Sequence, residues 1–205
     1  LNGLAVRQCF AAVSVPQFRR KWHQSFGRQG FAEHQRLSGM RWLIIEMACT
    51  RVAIDAHALL IFSQYQQTGR SSYEACGILL GREWEGTLEI TEATPPQKSD
   101  RRHRTGYVRM TAGHLALARE SWKASKGLIG YLGEWHSHPE DHANPSKQDL
   151  QSSRELARRN SCRVLSIIVG LRTSYAYVSE ADGLVCDALF SIPILDFSPE
   201  DSSFI

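Results

Sequence analysis

His136 and His138 flank one serine in the stretch Gly133-Glu134-Trp135-His136-Ser137-His138-Pro139, and Asp149 follows after ten intervening residues. Side chains two positions apart on an extended strand point the same way, so both imidazoles face one side of the strand end. Asp149 falls in the first turn of a helix opened by Ser146, where its carboxylate can swing back toward that end. Two imidazoles and one carboxylate leave a fourth tetrahedral position open, which is the pattern of a catalytic zinc site with one ion per chain. Water activated at such a site needs a nearby proton acceptor that is not itself a ligand. Glu74 is the candidate, because a carboxylate at the head of the apolar strand Glu74-Ala75-Cys76-Gly77-Ile78-Leu79-Leu80 has little structural purpose. Ser146, three residues before Asp149, can donate a hydrogen bond to a developing oxyanion.

The elements that must position these groups follow from periodicity and punctuation. Trp42 to Ile45 and Val52 to Ile54 read as short strands. Asp55 caps a first helix over Ala56 to Gln67, closed by Gly69. Glu74 to Leu80 and Thr87 to Thr91 form a hairpin joined across Gly81 to Gly86. Residues 95 to 106 are too polar and too rich in proline for a regular element, and long loops of that kind are commonly functional. A second helix runs from Thr111, as its cap, to Lys126 with Leu115, Leu117, Ala118 and Trp122 as its buried stripe. Leu128 to Trp135 is a buried strand. The third helix spans Ser146 to Asn160, and three strands over Val164 to Val169, Tyr175 to Val178 and Leu184 to Phe190 complete the chain. The class is α/β or α+β, a mixed central sheet flanked by three helices.

Composition narrows the function classes. The chain has 205 residues with 24 Lys plus Arg and 21 Asp plus Glu, and no apolar run approaches the ~20 residues of a membrane-spanning helix. Residues 1–39 carry six bases against Glu33 alone, whereas residues 40–205 hold 18 bases and 20 acids. The basic excess therefore belongs to the leader, and nucleic-acid binding is not indicated. A signal peptide, an organellar presequence and translated upstream sequence compete for the leader. We take the third, with Met40 or Met47 as the start, and assign the fold to 40–205. Cys9, Cys49, Cys76, Cys162 and Cys186 form an odd set without C-x-x-C spacing, which points to reduced thiols in a cytoplasmic protein. Zinc deaminases also use a nonligand glutamate, but their P-C-x-x-C signature is absent.

Glu74, then His-x-His, ten residues and Asp, with Ser146 in the spacer and Pro139 after the second histidine, resembles the JAMM motif of the JAB/MPN+ metalloproteases over roughly Thr50 to Phe190. The resemblance implies a cytidine-deaminase-like architecture, zinc on His136, His138 and Asp149, Glu74 as general acid/base and Ser146 as an aid to the tetrahedral intermediate. Glu-Ala-Cys-Gly-Ile-Leu-Leu-Gly at 74–81, Asp-Arg-Arg-His-Arg at 100–104 and Gly-Glu-Trp-His-Ser-His-Pro-Glu at 133–140 look like the prokaryotic JAB proteins, among them the deconjugating isopeptidase of bacterial CBASS antiphage operons. That likeness implies hydrolysis of the bond joining the C-terminal tail of a cGAS-like nucleotidyltransferase, or of a ubiquitin-like protein, to a target amine. It also implies an E1/E2-like conjugating enzyme in the pathway. Cys76 departs from the pattern, where a small residue such as glycine is expected, and the leader has no family counterpart. The Arg101, Arg102 and Arg104 cluster, with Arg109, reads as a solvated loop, as a clamp on the substrate tail or, least favoured, as a nucleic-acid contact. Two alternatives stand beside the deconjugation reading: a JAB peptidase that processes a sulfur-carrier protein in biosynthesis, and a noncatalytic MPN-type binding module. His57, His103, His114 and His142 read as surface or partly buried side chains outside the motif.

Overall fold

The computed structural model describes residues 42–180, 182–183 and 185–193, so the basic leader lies outside the described residues. Short β-branched runs give β1 (Leu43–Glu46) and β2 (Arg51–Ile54), and Asp55 then caps α1 (Ala56–Gln64) by accepting from His57 N. The hairpin β3 (Cys76–Trp84) and β4 (Thr87–Ala93) turns through Glu85 and Gly86, both at positive φ, the two-residue turn whose twist matches the flanking strands. The chain continues through β5 (Arg101–His103), β6 (Gly106–Val108), α2 (Thr111–Ala124), β7 (Gly130–Ser137), α3 (Lys147–Asn160), β8 (Val164–Val169), β9 (Ser174–Ser179) and β10 (Val185–Phe190). Eight strands form one mixed sheet in the order β1-β2-β4-β3-β7-β8-β9-β10, parallel at β2/β4 and β7/β8, while β5 and β6 pair with each other.

Side-chain alternation along β7 divides the molecule. Gly133 and Trp135 face the main core, where Trp135 is fully buried and its indole sits 5.3 Å from Phe62 of α1. Leu59, Leu79, Leu165, Ile167 and Val178 complete that layer. Glu134 and His136 face the opposite side, in register with Ile78 and Cys76 of β3 and with Ser166 and Ile168 of β8. On that side α3 is fastened through Ser153 to Ser166 and Ser179, and a smaller core forms from Ala143, Ile168 and Tyr177. Gly77 is where the backbone must come close: a Cβ there would lie 2.0 Å from Thr94 O and 2.3 Å from the Trp135 ring nitrogen. That gap lets Trp135 Nε1 donate to Thr94 O at 3.0 Å.

Several sequence expectations are corrected. α1 ends at Gln64, and Gly69 is not its terminator. Gln66 and Gln67 leave the helix because their amides bond Gly170 O at 2.7 Å and Arg104 O at 3.0 Å. Strand β3 begins at Cys76, two residues after Glu74, and continues through Gly81 to Trp84 where a turn was expected. The 95–106 stretch contains much of a regular hairpin, β5–β6, tied at its base by Asp100, which accepts from Gln97 N and Met110 N. Met110, not Thr111, occupies the cap of α2, which ends at Ala124. The buried residue of α2 is His114, while Trp122 is exposed. His114 is enclosed because Thr94 Oγ1 at 2.6 Å and Asp100 Oδ2 at 3.1 Å satisfy both ring nitrogens. Finally, Cys49 and Cys186 are not reduced thiols but a disulfide with Cα atoms 6.0 Å apart. Curvature carries the β1–β2 turn to β10 at the other edge of the sheet, so residues 137 positions apart in sequence meet. Among the described residues, no helix is long and apolar enough to cross a membrane.

Candidate metal centre

Three elements converge on the His136 face of the sheet. His136 is held within β7 by pairing to Cys76 and Ile168, and it is almost fully buried. His138 lies one residue beyond the strand, yet its N–H bonds Val169 O at 2.9 Å, so the parallel ladder carries its backbone onward. The two Nε2 atoms face each other at 3.1 Å. Asp149 arrives from α3, whose N-terminus is a capping box. Ser146 Oγ accepts from Asp149 N at 3.2 Å, and Asp149 Oδ2 accepts from Ser146 N at 2.7 Å. Asp149 Oδ1 then lies 3.5 Å from His136 Nε2, and Oδ2 lies 3.8 Å from His138 Nε2.

Two donor atoms each bound about 2.0–2.1 Å from a tetrahedral zinc are about 3.3 Å apart. The spacings of 3.1, 3.5 and 3.8 Å among His136, His138 and Asp149 bracket that value, so these residues fit such an ion. Glu74 Oε1 stands 3.9 and 3.8 Å from the same two nitrogens, and it forms with His136 and His138 a group whose ligand atoms lie within 4.8 Å of one another. Glu74 and Asp149 are equally far from His138 Nε2, at 3.8 Å, and Asp149 is the nearer of the two to His136, at 3.5 against 3.9 Å.

The electrostatics separate the two carboxylates. Burial pushes the Glu74 carboxyl up to about 7, with His136 pulling it down less strongly and Asp149 adding to the rise. Burial also acts to raise Asp149, but hydrogen bonds from His136 and Ser146 outweigh it and hold this carboxyl well below its ordinary value. Burial, reinforced by neighbouring His136, lowers His138, so its neutral ligating form is favoured. Burial next to Asp100 pushes the Cys76 thiol far up, which removes it as a nucleophile.

The sequence-predicted residues thus gather as follows. His136, His138, Asp149 and Glu74 meet. Ser146 sits at the rim as the exposed N-cap of α3, engaged with Asp149. Arg101 and Arg102 lie on β5 and Arg104 in the turn after it; Arg101 and Arg104 are exposed and Arg102 half-buried. Their hairpin walls the site, because Glu74 N donates to His103 O at 2.7 Å and the Tyr107 ring centroid lies 5.3 Å from His136. Tyr107 was missed as a wall of the histidine cluster, and Arg109, expected with the solvated basic loop, is instead buried in an ion pair with Glu134 that ties the end of β6 to β7. The one signal for the latter is an acid at position 134, two before His136 on the same face of β7.

Residues 58–183 match the family described as prokaryotic homologs of the JAB domain. Three similar proteins are each named CD-NTase/cGAS isopeptidase. One from Pseudomonas aeruginosa (strain BWHPSA011 / Pa011) is 40% identical over 136 residues, covering 65% of this chain and 86% of that protein. One from Escherichia coli (strain TW11681) is 38% identical over 101 residues, covering 49% and 65%. One from Vibrio cholerae serotype O1 is 31% identical over 117 residues, covering 57% and 75%.

Proposed function

The chain belongs to the prokaryotic homologs of the JAB domain, and from that membership we propose that it is a zinc-dependent isopeptidase acting after an extended C-terminal tail. The substrate class is a cGAS-like nucleotidyltransferase joined by its tail to a target amine, as the names of its relatives suggest. An E1/E2-like enzyme would form that bond, as part of antiphage defence. The observation that carries this reading is the meeting of His136, His138 and Asp149 at ligand spacing with Glu74 within 4 Å of both imidazoles.

Zinc on His136, His138 and Asp149 supplies Lewis-acid activation of water and of the scissile carbonyl. Glu74 accepts the proton of the attacking water as oxygen adds to the carbonyl carbon. As the C–N bond breaks, the Glu74 carboxyl returns a proton to the departing amine, leaving a free C-terminal carboxylate. A carboxyl that burial holds near 7 can serve in both directions at neutral pH. The Ser146 hydroxyl accepts from Asp149 N and keeps its own proton to donate to the oxyanion. β5 and β6 pair only with each other among the described residues, so the hairpin offers an edge for an extended tail, with Arg101, Arg102 and Arg104 bonding its carbonyls or acidic side chains.

The test is cleavage of a nucleotidyltransferase tail fused to a reporter protein, with zinc content measured alongside. Wild type is expected to hold about one zinc per chain and cleave, and Glu74→Ala to hold zinc without cleaving. Retained turnover in Glu74→Ala overturns its role, and a chain that binds no zinc overturns the metallopeptidase reading.

A further inference from the structure

The two ring nitrogens of His138 look in opposite directions. Nε2 faces His136, Glu74 and Asp149, while Nδ1 lies 3.2 Å from Oε2 of Glu140. Nδ1 is buried and makes no formed hydrogen bond, and the Glu140 carboxylate is the charged group that approaches it. The backbone beneath Glu140 is firmly placed. Leu171 N bonds Glu140 O at 3.0 Å, Arg172 N and Thr173 N bond Asp141 O at 2.8 and 2.9 Å, and Ala143 N bonds Thr173 O at 3.0 Å. Segment 138–143 is therefore zipped to the turn between β8 and β9, and the rigid ring of Pro139 separates His138 from Glu140.

A neutral imidazole carries one N–H, and the nitrogen that holds it cannot bind a metal. With the N–H on Nε2, it would point at the His136 Nε2 lone pair 3.1 Å away and close the cluster to a cation. With the N–H on Nδ1, it points at Glu140, and the Nε2 lone pair faces the cluster. We propose that Glu140 is a positioning residue that fixes His138 in the Nδ1–H tautomer, so that Nε2 is presented to the metal before the ion arrives. The inference rests on the zinc site proposed above, and it assigns Glu140 no contact with substrate. Outer carboxylates of this kind set ligand orientation and basicity at about 10–100-fold in metal affinity.

Asp141 provides the control, since it is a neighbouring carboxylate of similar exposure that pairs with Arg172 at 3.2 Å and not with a histidine. Zinc affinity of the full chain is measured by chelator competition for wild type, Glu140→Gln, Glu140→Asp and Asp141→Asn. The expected result is a roughly 10–100-fold loss in Glu140→Gln, partial recovery in Glu140→Asp and little change in Asp141→Asn. Nitrogen chemical shifts of His138 in the metal-free protein should report the Nδ1–H form in wild type and a mixture in Glu140→Gln. Equal affinity losses in Glu140→Gln and Asp141→Asn would reduce the effect to general charge and overturn the positioning role. An unchanged tautomer in Glu140→Gln would overturn it as well. Wild type without zinc affinity would instead bring down the metal site itself.

Discussion

Replacing Glu74 by Gln in the metal-free protein should make it more stable at pH 8, although the same change should abolish cleavage. Burial holds the Glu74 carboxyl at about 7 against an ordinary 4.5. Each unit of difference corresponds to about 1.4 kcal/mol, so keeping this group ionised in the folded state costs about 3 kcal/mol before screening. Rearrangement of the surrounding dipoles around an ionised Glu74 trims the figure to about 1–2 kcal/mol. The folded value lies above the unfolded one, so the contribution of Glu74 to stability is complete below pH 4.5 and is lost as pH rises through 7. Gln has nearly the same shape and never ionises. The stability difference between variant and wild type should therefore be near zero at pH 4.5 and reach its full size by pH 8. Urea unfolding of both proteins with EDTA, at several pH values across that range, reads the difference directly, and His114 titrates alike in both and cancels. A variant no more stable than wild type at pH 8 would refute the claim that Glu74 is held desolvated in the folded protein.

Asp149→Ala should lose zinc and also cost about 1 kcal/mol in the metal-free state, because the bond from Ser146 N at 2.7 Å disappears from the capping box; urea unfolding in EDTA measures this without the metal. Reducing the Cys49–Cys186 bond, which closes a loop spanning 137 residues, should remove about 3–5 kcal/mol by loop entropy and lower Tm by roughly 10 °C in a scan with and without dithiothreitol. Burial lowers the pKa of His114 against the opposing pull of Asp100. Its contribution to stability is therefore intact above pH 6.5 and lost as pH falls below that value, and His114→Gln should flatten that part of the pH profile of urea unfolding whatever its absolute stability.

Much of the site was legible because its logic is local. Two positions on a strand share a face whatever the rest of the fold does, and Ser146 with Asp149 at N3 writes a helix start into four residues. What escaped depends on groups distant in sequence. Cys49 and Cys186 carry no spacing signal, since only the curvature of the sheet brings them together. His114 looks like a surface residue of a weakly amphipathic helix until Asp100 and Thr94 are placed around it. The 101–108 hairpin hides behind polar residues because it is an outlying ribbon, anchored by Asp100, Gln67 and Arg109 rather than by an apolar face. The same tertiary demands on Gln66 and Gln67 end α1 early.

The shared use of Asp149 has an evolutionary consequence. A gene copy released from selection for cleavage drifts first where folding is indifferent or improved, and Glu74 is such a place, because its loss relieves a buried charge. Asp149 and Ser146 are retained longer, since they start a helix irrespective of chemistry. Inactive descendants of this fold should therefore keep the Ser-x-x-Asp signature after the glutamate has gone. A search for retired enzymes among its kin would do better to look for a missing glutamate than for a missing ligand.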